Sequence, residues 1–328
     1  MPSQGAYPPL RSDCFMGESQ KQSECRVASG LKRFACIGLL VIFGCGPRAE
    51  PETVYGKHGV NGGEFVRPRA VAIDAQDRIY IVDFTARIQV FDRDGKYLGL
   101  SWTTPDYRNG RPSGLSIDRD GNLLVSDSHY HCLRVYSPEG IELKKIGGEA
   151  GSKPGQLGYV SDALQDADGF YYIAEFGENS RITKFDPDGK FVKCWSSPGD
   201  QPGELSRARA LILGPDGNLY VADACNHRIQ VFTRDGELVR CWGTEGRQPG
   251  ELSYPYDLAF NAAGELYVME FGNHRVQKFT PDGKSLGCWG GPGREPGQLY
   301  SPWALAIDSK GRVHVLDTEN HRVQRIKF

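Results

Sequence analysis

No Cys-x-x-Cys pair and no Cys-x-x-Cys-His string occur in the 328 residues. The first absence removes zinc ribbons, RING modules and thioredoxin-type redox chemistry, and the second removes covalent haem. The single Gly-x-Ser-x-Gly string, at 283–287, begins on an Asp-Gly turn between two β-type runs rather than joining a strand to a helix, so it does not form the nucleophile elbow of the α/β-hydrolases. No apolar run approaches the roughly 20 residues that carry a helix across a bilayer. Excess charge is missing too: 39 Lys and Arg stand against 41 Asp and Glu, a formal net charge of −2. No global basic field therefore draws nucleic acid, which is not an expected partner.

What is there divides into a short front part and a long repetitive part. Lys32 and Arg33 precede an apolar run from Phe34 to Phe43, followed by Gly44 and Cys45. A basic flank and about ten apolar residues form a signal-peptide pattern. Ile42-Phe43-Gly44-Cys45 resembles the lipobox of bacterial lipoproteins, with Phe43 bulkier than usual for its place. The resemblance implies lipidation at Cys45, membrane attachment through that lipid, and location in a bacterial cell envelope. A merely cleaved secretory signal or a short uncleaved anchor is the plainer alternative, and Met16 is an alternative start. Residues 1–45 thus read as a leader. Residues 46–52 read as a tether of at most about 25 Å, and residues 53–328 as the repeat array.

Asp83, Asp127, Glu175, Asp223, Glu270 and Asp317 end six similar strands, at steps of 44, 48, 48, 47 and 47 residues. Each unit holds four short β-type runs, such as Arg209–Leu213, Asn218–Asp223, Arg228–Thr233 and Glu237–Trp242 in the fourth. Alternating Leu219 and Val221, then Ile229 and Val231, supply period-two faces. Asp-Gly pairs separate the runs, because Gly accepts positive φ without steric cost. Pro-Gly-Gln-Leu or Pro-Gly-Glu-Leu joins successive units at 154–157, 202–205, 249–252 and 296–299.

Four antiparallel strands repeated six times predict an all-β, six-bladed propeller. The last unit stops at Phe328 after three strands, and Val54–Gly56 matches the fourth-strand Cys-Trp-Gly of other units. The N-terminal strand is therefore expected to complete the last blade and close the ring. The strings 223–232 (DACNHRIQVF), 270–279 (EFGNHRVQKF) and 317–324 (DTENHRVQ) resemble NHL repeats. With the connector and the Asp-Gly turn, the resemblance covers about residues 53–328.

The repeated polar residues read as scaffold. Arg87, Arg181, Arg228, Arg275 and Arg322 form one column and the strand-end acids another; a catalytic group has no reason to recur in every blade. Paired acid and guanidinium satisfying loop backbone is the expected role. His227, His274 and His321 are not expected to share a metal. Asp-x-Asp-Gly strings read as turns, since they lack the remaining ligands of a calcium loop. Cys194, Cys241 and Cys288, each before a Trp, read as packing residues of equivalent strands, too far apart for disulfides. Nothing in the sequence pairs Cys132 or Cys225 with another cysteine.

One column varies while the scaffold repeats: Arg69, Ser113, Ser161, Arg209, Tyr256 and Trp303, at the start of each innermost strand. The next column is small except for Asp162 and Asp257. These eight are the candidate ligand-binding residues. They predict a polar, partly aromatic rim at the channel mouth, suited to an anionic or sugar-like ligand or a peptide end. The other reading of the same column is that its large side chains fill the channel. NHL-like propellers include the peptidyl-hydroxyglycine amidating lyase, whose similarity would imply zinc-binding histidines in this column, and none is present. Lactonase-type propellers imply a channel Ca²⁺, for which Asp162 and Asp257 are the two candidates. No catalytic residue, metal set or cofactor is assigned. The expectation is a binding or scaffolding module for a protein, peptide or carbohydrate; the rival is a metal-dependent lyase or hydrolase with its site at the channel mouth.

Overall fold

The computed structural model describes residues 50–105 and 110–328. They form six four-stranded antiparallel sheets arranged as the blades of a β-propeller. Blade one contains Ala70–Ile73, Ile79–Val82, Arg87–Phe91 and Tyr97–Thr103, from the axis outward. Blades two to five repeat this meander, and the first strands of the six blades pack side by side around the axis.

Blade six is assembled from both ends of the chain. Leu305–Ile307, Val313–Asp317 and Arg322–Ile326 supply three strands, and Thr53–Tyr55 supplies the outermost. Thr53 pairs with Arg325, Val54 with Gln324 and Tyr55 with Val323. The closure expected from the unfinished last repeat is therefore present. It gives the Arg322–Ile326 edge a partner within the molecule instead of leaving it open to another chain.

The core consists of one apolar cluster at each junction between neighbouring blades. Period-two alternation sends one strand to two of them: Leu219 and Val221 pack toward blade three, Tyr220 and Ala222 toward blade five. The junction between blades six and one is built the same way, with Phe65, Val71 and Ile81 against Leu316 and Val323. At about 1.5–3 kcal/mol for each large side chain fully buried, these clusters are the main stabilising term.

The repeated polar columns hold the connectors between blades. In blade four, Arg228 Nε donates to Asp223 at 2.8 Å while its Nη2 donates to the Gln201 and Glu204 carbonyls at 2.9 and 2.8 Å. Gln230 adds a donor to Glu204 O and takes the Gly203 amide on its own oxygen. The same arrangement recurs with Arg275 and Gln277 on Glu270, and with Arg322 and Gln324 on Asp317. Blade two lacks both the connector and the arginine at its usual place. There Asp127 is paired instead with Arg134, two residues further along the strand and on the same face.

The cysteine expectation is corrected. Cys194 and Cys241 are exposed and Cys288 is half-buried. Strand alternation turns the following tryptophans, Trp195, Trp242 and Trp289, into the blade junctions, so each cysteine before them points away.

Candidate functional site

Two loop types meet at one end of the propeller: the connectors leading into the first strands, and the turns between second and third strands. Four of these turns contain a short 3-10 segment, as at Ala224–Asn226. His227, His274 and His321 follow the turns in left-handed conformation, with φ of 54°, 52° and 56°. Their Nδ1 atoms accept the backbone amides of Tyr254, Ser301 and Arg67 in the next blade, at 3.2, 2.9 and 3.0 Å. The histidines thus fasten blade to blade at separate points of the ring. Among the described residues, no group of three or more His, Cys, Asp or Glu is placed to hold a metal ion.

The innermost strands enter through irregularities in register: between Pro112 and Gly114, Val160 and Asp162, Ala208 and Leu211, and Pro255 and Asp257. A bulge of this kind re-aims side chains, and here it turns them toward the axis. Arg69, Ser113, Asp162, Arg209, Tyr256, Asp257 and Trp303 surround a cavity of about 20 Å³, enough for a single water molecule. Seven of the eight candidate residues therefore converge, and they close the mouth rather than leaving it open. Ser161 is not among them. It is fully buried, and its hydroxyl donates to the Ala174 carbonyl of its own blade at 3.1 Å.

The closure is made of guanidinium groups on aromatic rings. The Arg69 guanidinium carbon lies 4.6 Å from the Trp303 ring centre and 5.3 Å from that of Phe84. Arg209 lies 4.8 Å from Tyr256 and 5.3 Å from Trp303. Tyr256 stacks on Phe271 with ring centres 4.6 Å apart. Each cation–ring contact contributes about 0.5–2 kcal/mol. Nε of both Arg69 and Arg209 is buried without a hydrogen-bond partner, and neither side chain makes an ion pair with a described residue.

Ser113 seals the neighbouring gap. Its hydroxyl lies 2.8 and 2.9 Å from the carbonyl oxygens of Val160 and Ser161. Beneath the arginines stand the two acids. Asp162 accepts the Leu211 amide at 3.0 Å, and Asp257 accepts the Leu305 and Leu258 amides at 2.8 Å each. Each carboxylate so ties its blade to the next. Gly114 makes room for this, since a Cβ there would come within 2.6 Å of Asp162 Oδ1. Burial and the neighbouring charge of Asp257 push the Asp162 carboxyl up to about 8, against the amide bonds and Arg209. Burial pushes Asp257 up to about 7. Burial is also the leading cause that lowers Arg209. Both acids also line the axial channel, a cavity of about 400 Å³ walled by Ile73, Ile117, Leu164, Leu213 and Ile307 among others.

A second ring of residues went unread in the sequence. Arg67, Arg111, Tyr159, Arg207, Tyr254 and Ser301 precede the first column by two positions and share its steps of 44, 48, 48, 47 and 47. Arg67, Arg207, Tyr254 and Ser301 adopt left-handed φ between 47° and 61°. Non-glycine residues enter that region rarely, and such strain concentrates at functional loops. Arg111 lies over Phe84 at 4.0 Å, Arg207 over Phe176 at 5.8 Å, and Tyr159 stacks on Phe176 at 5.3 Å. The signal available beforehand was the shared period, but nothing local says that these side chains face the same opening.

Comparison with known proteins agrees with this architecture. The NHL repeat family model matches residues 109–136, 205–232, 252–279 and 299–326, which fall on blades two, four, five and six. The peptidyl-glycine alpha-amidating monooxygenase of Mus musculus is 35% identical over 125 residues, 35% of this chain; the chain spans only 13% of that relative's length. Among solved structures, a gluconolactonase from Xanthomonas campestris superposes with a TM-score of 0.63 at 15% identity, covering 87% of this chain and 99% of its own. A virginiamycin B lyase from Staphylococcus aureus does so with a TM-score of 0.57 at 14% identity, covering 86% and 97%. At such identities the two structures share the fold. The chain thus carries four NHL repeats within a six-bladed β-propeller.

Proposed function

We propose that the protein is an extracytoplasmic binding or scaffolding module, tethered through a lipid on Cys45, whose connector face docks a protein, peptide or carbohydrate partner. Cys45 lies outside the described residues, and the lipobox-like string carries that part of the reading. The observation that carries docking is the mouth itself: its residues differ from blade to blade, while the acids, arginines and glutamines around them are committed to holding the connectors. A rigid ring presenting varied side chains loses little entropy on contact. A peptide and glycan array probed with the parent protein and with Arg209→Ala tests it. Retention of a defined class of sequences or glycans, weakened in the variant, supports the reading; no retention by the parent removes it. For the anchor, a Cys45→Ala protein that still incorporates a lipid precursor and partitions into membranes would remove Cys45 as the site of attachment.

The partial identity to an amidating monooxygenase favours a second reading, a metal-dependent lyase or hydrolase. The mouth does not fit a zinc centre. Zinc takes three or four nitrogen, sulfur or carboxylate donors, and the only such groups lining the cavity are Asp162 and Asp257, already engaged by backbone amides. Stoichiometric metal in the purified protein, lost on Asp162→Asn or Asp257→Asn, would reinstate the enzyme.

A further inference from the structure

Two guanidinium groups line the mouth, and two more stand near enough to act on one of them. Arg69 and Arg209 sit inside it, without an ion-pair partner among the described residues, and Arg111 and Arg207 flank it. The strongest charges acting on Arg69 are those of Arg209, Arg111 and Arg207, all positive. Burial and these neighbours push its guanidinium down to about 9, which still leaves it charged at neutral pH. Arg209 feels Asp162 and Asp257 beneath it, but those acids also accept backbone amides and are themselves pushed toward the neutral form. A buried charge without a partner costs several kcal/mol. The fold nevertheless keeps two here, with Nε of each unpartnered.

We propose that the mouth binds a small anion carrying two or more negative charges, a phosphate monoester or a di- or tricarboxylate, gripped between Arg69 and Arg209 and flanked by Arg111 and Arg207. The inference rests on the connector face being the docking surface and names the chemistry that surface recognises. Planar guanidinium forks match phosphate and carboxylate oxygens two at a time. A monoanion would answer only one of the two buried charges, those of Arg69 and Arg209. The 20 Å³ cavity is too small for such a ligand, so the anion seats above it. There it draws the two guanidinium groups off Trp303, which makes that ring a reporter.

The test titrates inorganic phosphate, citrate and acetate into the protein at matched ionic strength, reading the melting temperature and tryptophan emission, with Trp303→Phe to assign the emission. Phosphate or citrate at millimolar concentration is expected to raise the melting temperature and shift Trp303 emission, and acetate to do neither. Arg69→Met and Arg209→Met are each expected to weaken the apparent affinity at least about tenfold. Without anion, each variant is expected to melt no lower than the parent, because an unbalanced buried charge is gone; a merely structural arginine would give the opposite sign. Should either fail to fold, Arg69→Lys, which keeps the charge and loses the fork, carries the comparison. No response beyond that to sodium chloride, an equal response to acetate, or a response that survives in Arg69→Met overturns the proposal. Retention on the peptide and glycan array without any phosphate or citrate response would overturn this inference and leave the docking surface standing. The reverse pattern would leave the anion site and remove the macromolecular partner.

Discussion

The Tyr55 hydroxyl lies 3.2 Å from Nδ1 of His314, 259 residues later in the chain. Nε2 of His314 lies 3.2 Å from Asp308 Oδ2, so a row of three polar groups, the last two buried, crosses the seam where the ring closes. Burial pushes the Tyr55 phenol up, which keeps it a donor. Although burial opposes it, Asp308 is held below the usual carboxylate range by hydrogen bonds from His314 and Arg312. Tyr55→Phe keeps the ring beside Phe91 and removes only the hydroxyl. A loss of about 1–2 kcal/mol in urea denaturation is expected, the cost of leaving a buried ring nitrogen unpaired. An unchanged midpoint would show the seam to be held by apolar packing alone.

The channel acids set a pH dependence. Their folded values of about 8 and about 7 lie above the unfolded value near 3.9. Between those limits the folded state binds more protons than the unfolded chain, so stability falls as pH rises. The contribution is fully present below about pH 4 and is lost as pH passes through 7 to 8. A melting temperature that declines between about pH 5.5 and 8.5 is expected, with a flatter profile in Asp162→Asn. A parent profile that rises over this range would show that both acids stay ionised.

The acid–arginine pairs differ in weight by their exposure. Arg228→Met strands the fully buried Asp223, and a loss of about 3–5 kcal/mol is expected. Asp168→Asn removes only the mostly exposed partner of Arg234, which keeps the buried Asp166, and about 1 kcal/mol or less is expected. Chemical denaturation of the two variants side by side checks the ratio. Asp223→Asn combined with Arg228→Met is expected to recover part of the larger loss, because the stranded charge is gone.

Two turn glycines separate backbone strain from packing. Gly217 has φ 76° and a Cβ there would meet nothing within 4 Å, whereas Gly236 has φ 89° and a Cβ there would meet Trp195 at 2.6 Å. Gly217→Ala is expected to cost about 1–2 kcal/mol, the left-handed backbone alone. Gly236→Ala adds about 1–3 kcal/mol of overpacking against the preceding blade. Equal losses in thermal denaturation would mean that Trp195 moves aside freely.

Most of the scaffold was legible because each of its parts is local. Asp-Gly turns, alternating strands and the connector recur with their own chemistry, and the unfinished last repeat declared the closure. The Arg column was readable as structure from repetition alone. The mouth was half legible: the period located Arg69, Arg209, Tyr256 and Trp303 at equivalent strand entrances. Ser161 shares that position, and its strand the same irregularity as that of Tyr256, yet its short hydroxyl side chain is held by the Ala174 carbonyl of its own blade while Asp162 beside it reaches the axis. Arg67, Arg111 and Arg207 were missed because their left-handed or loop positions carry no periodic signature of where a side chain points.

The order of residues by itself determined the number of blades, the turn chemistry and the pairing of the two chain ends, since these follow from period and local conformational preference. Only the tertiary structure decided that the varied residues seal the channel with guanidinium on aromatic rings, above two acids kept close to neutral. That outcome depends on distances across the axis between residues some 50 to 230 positions apart, and on burial, which no stretch of sequence contains.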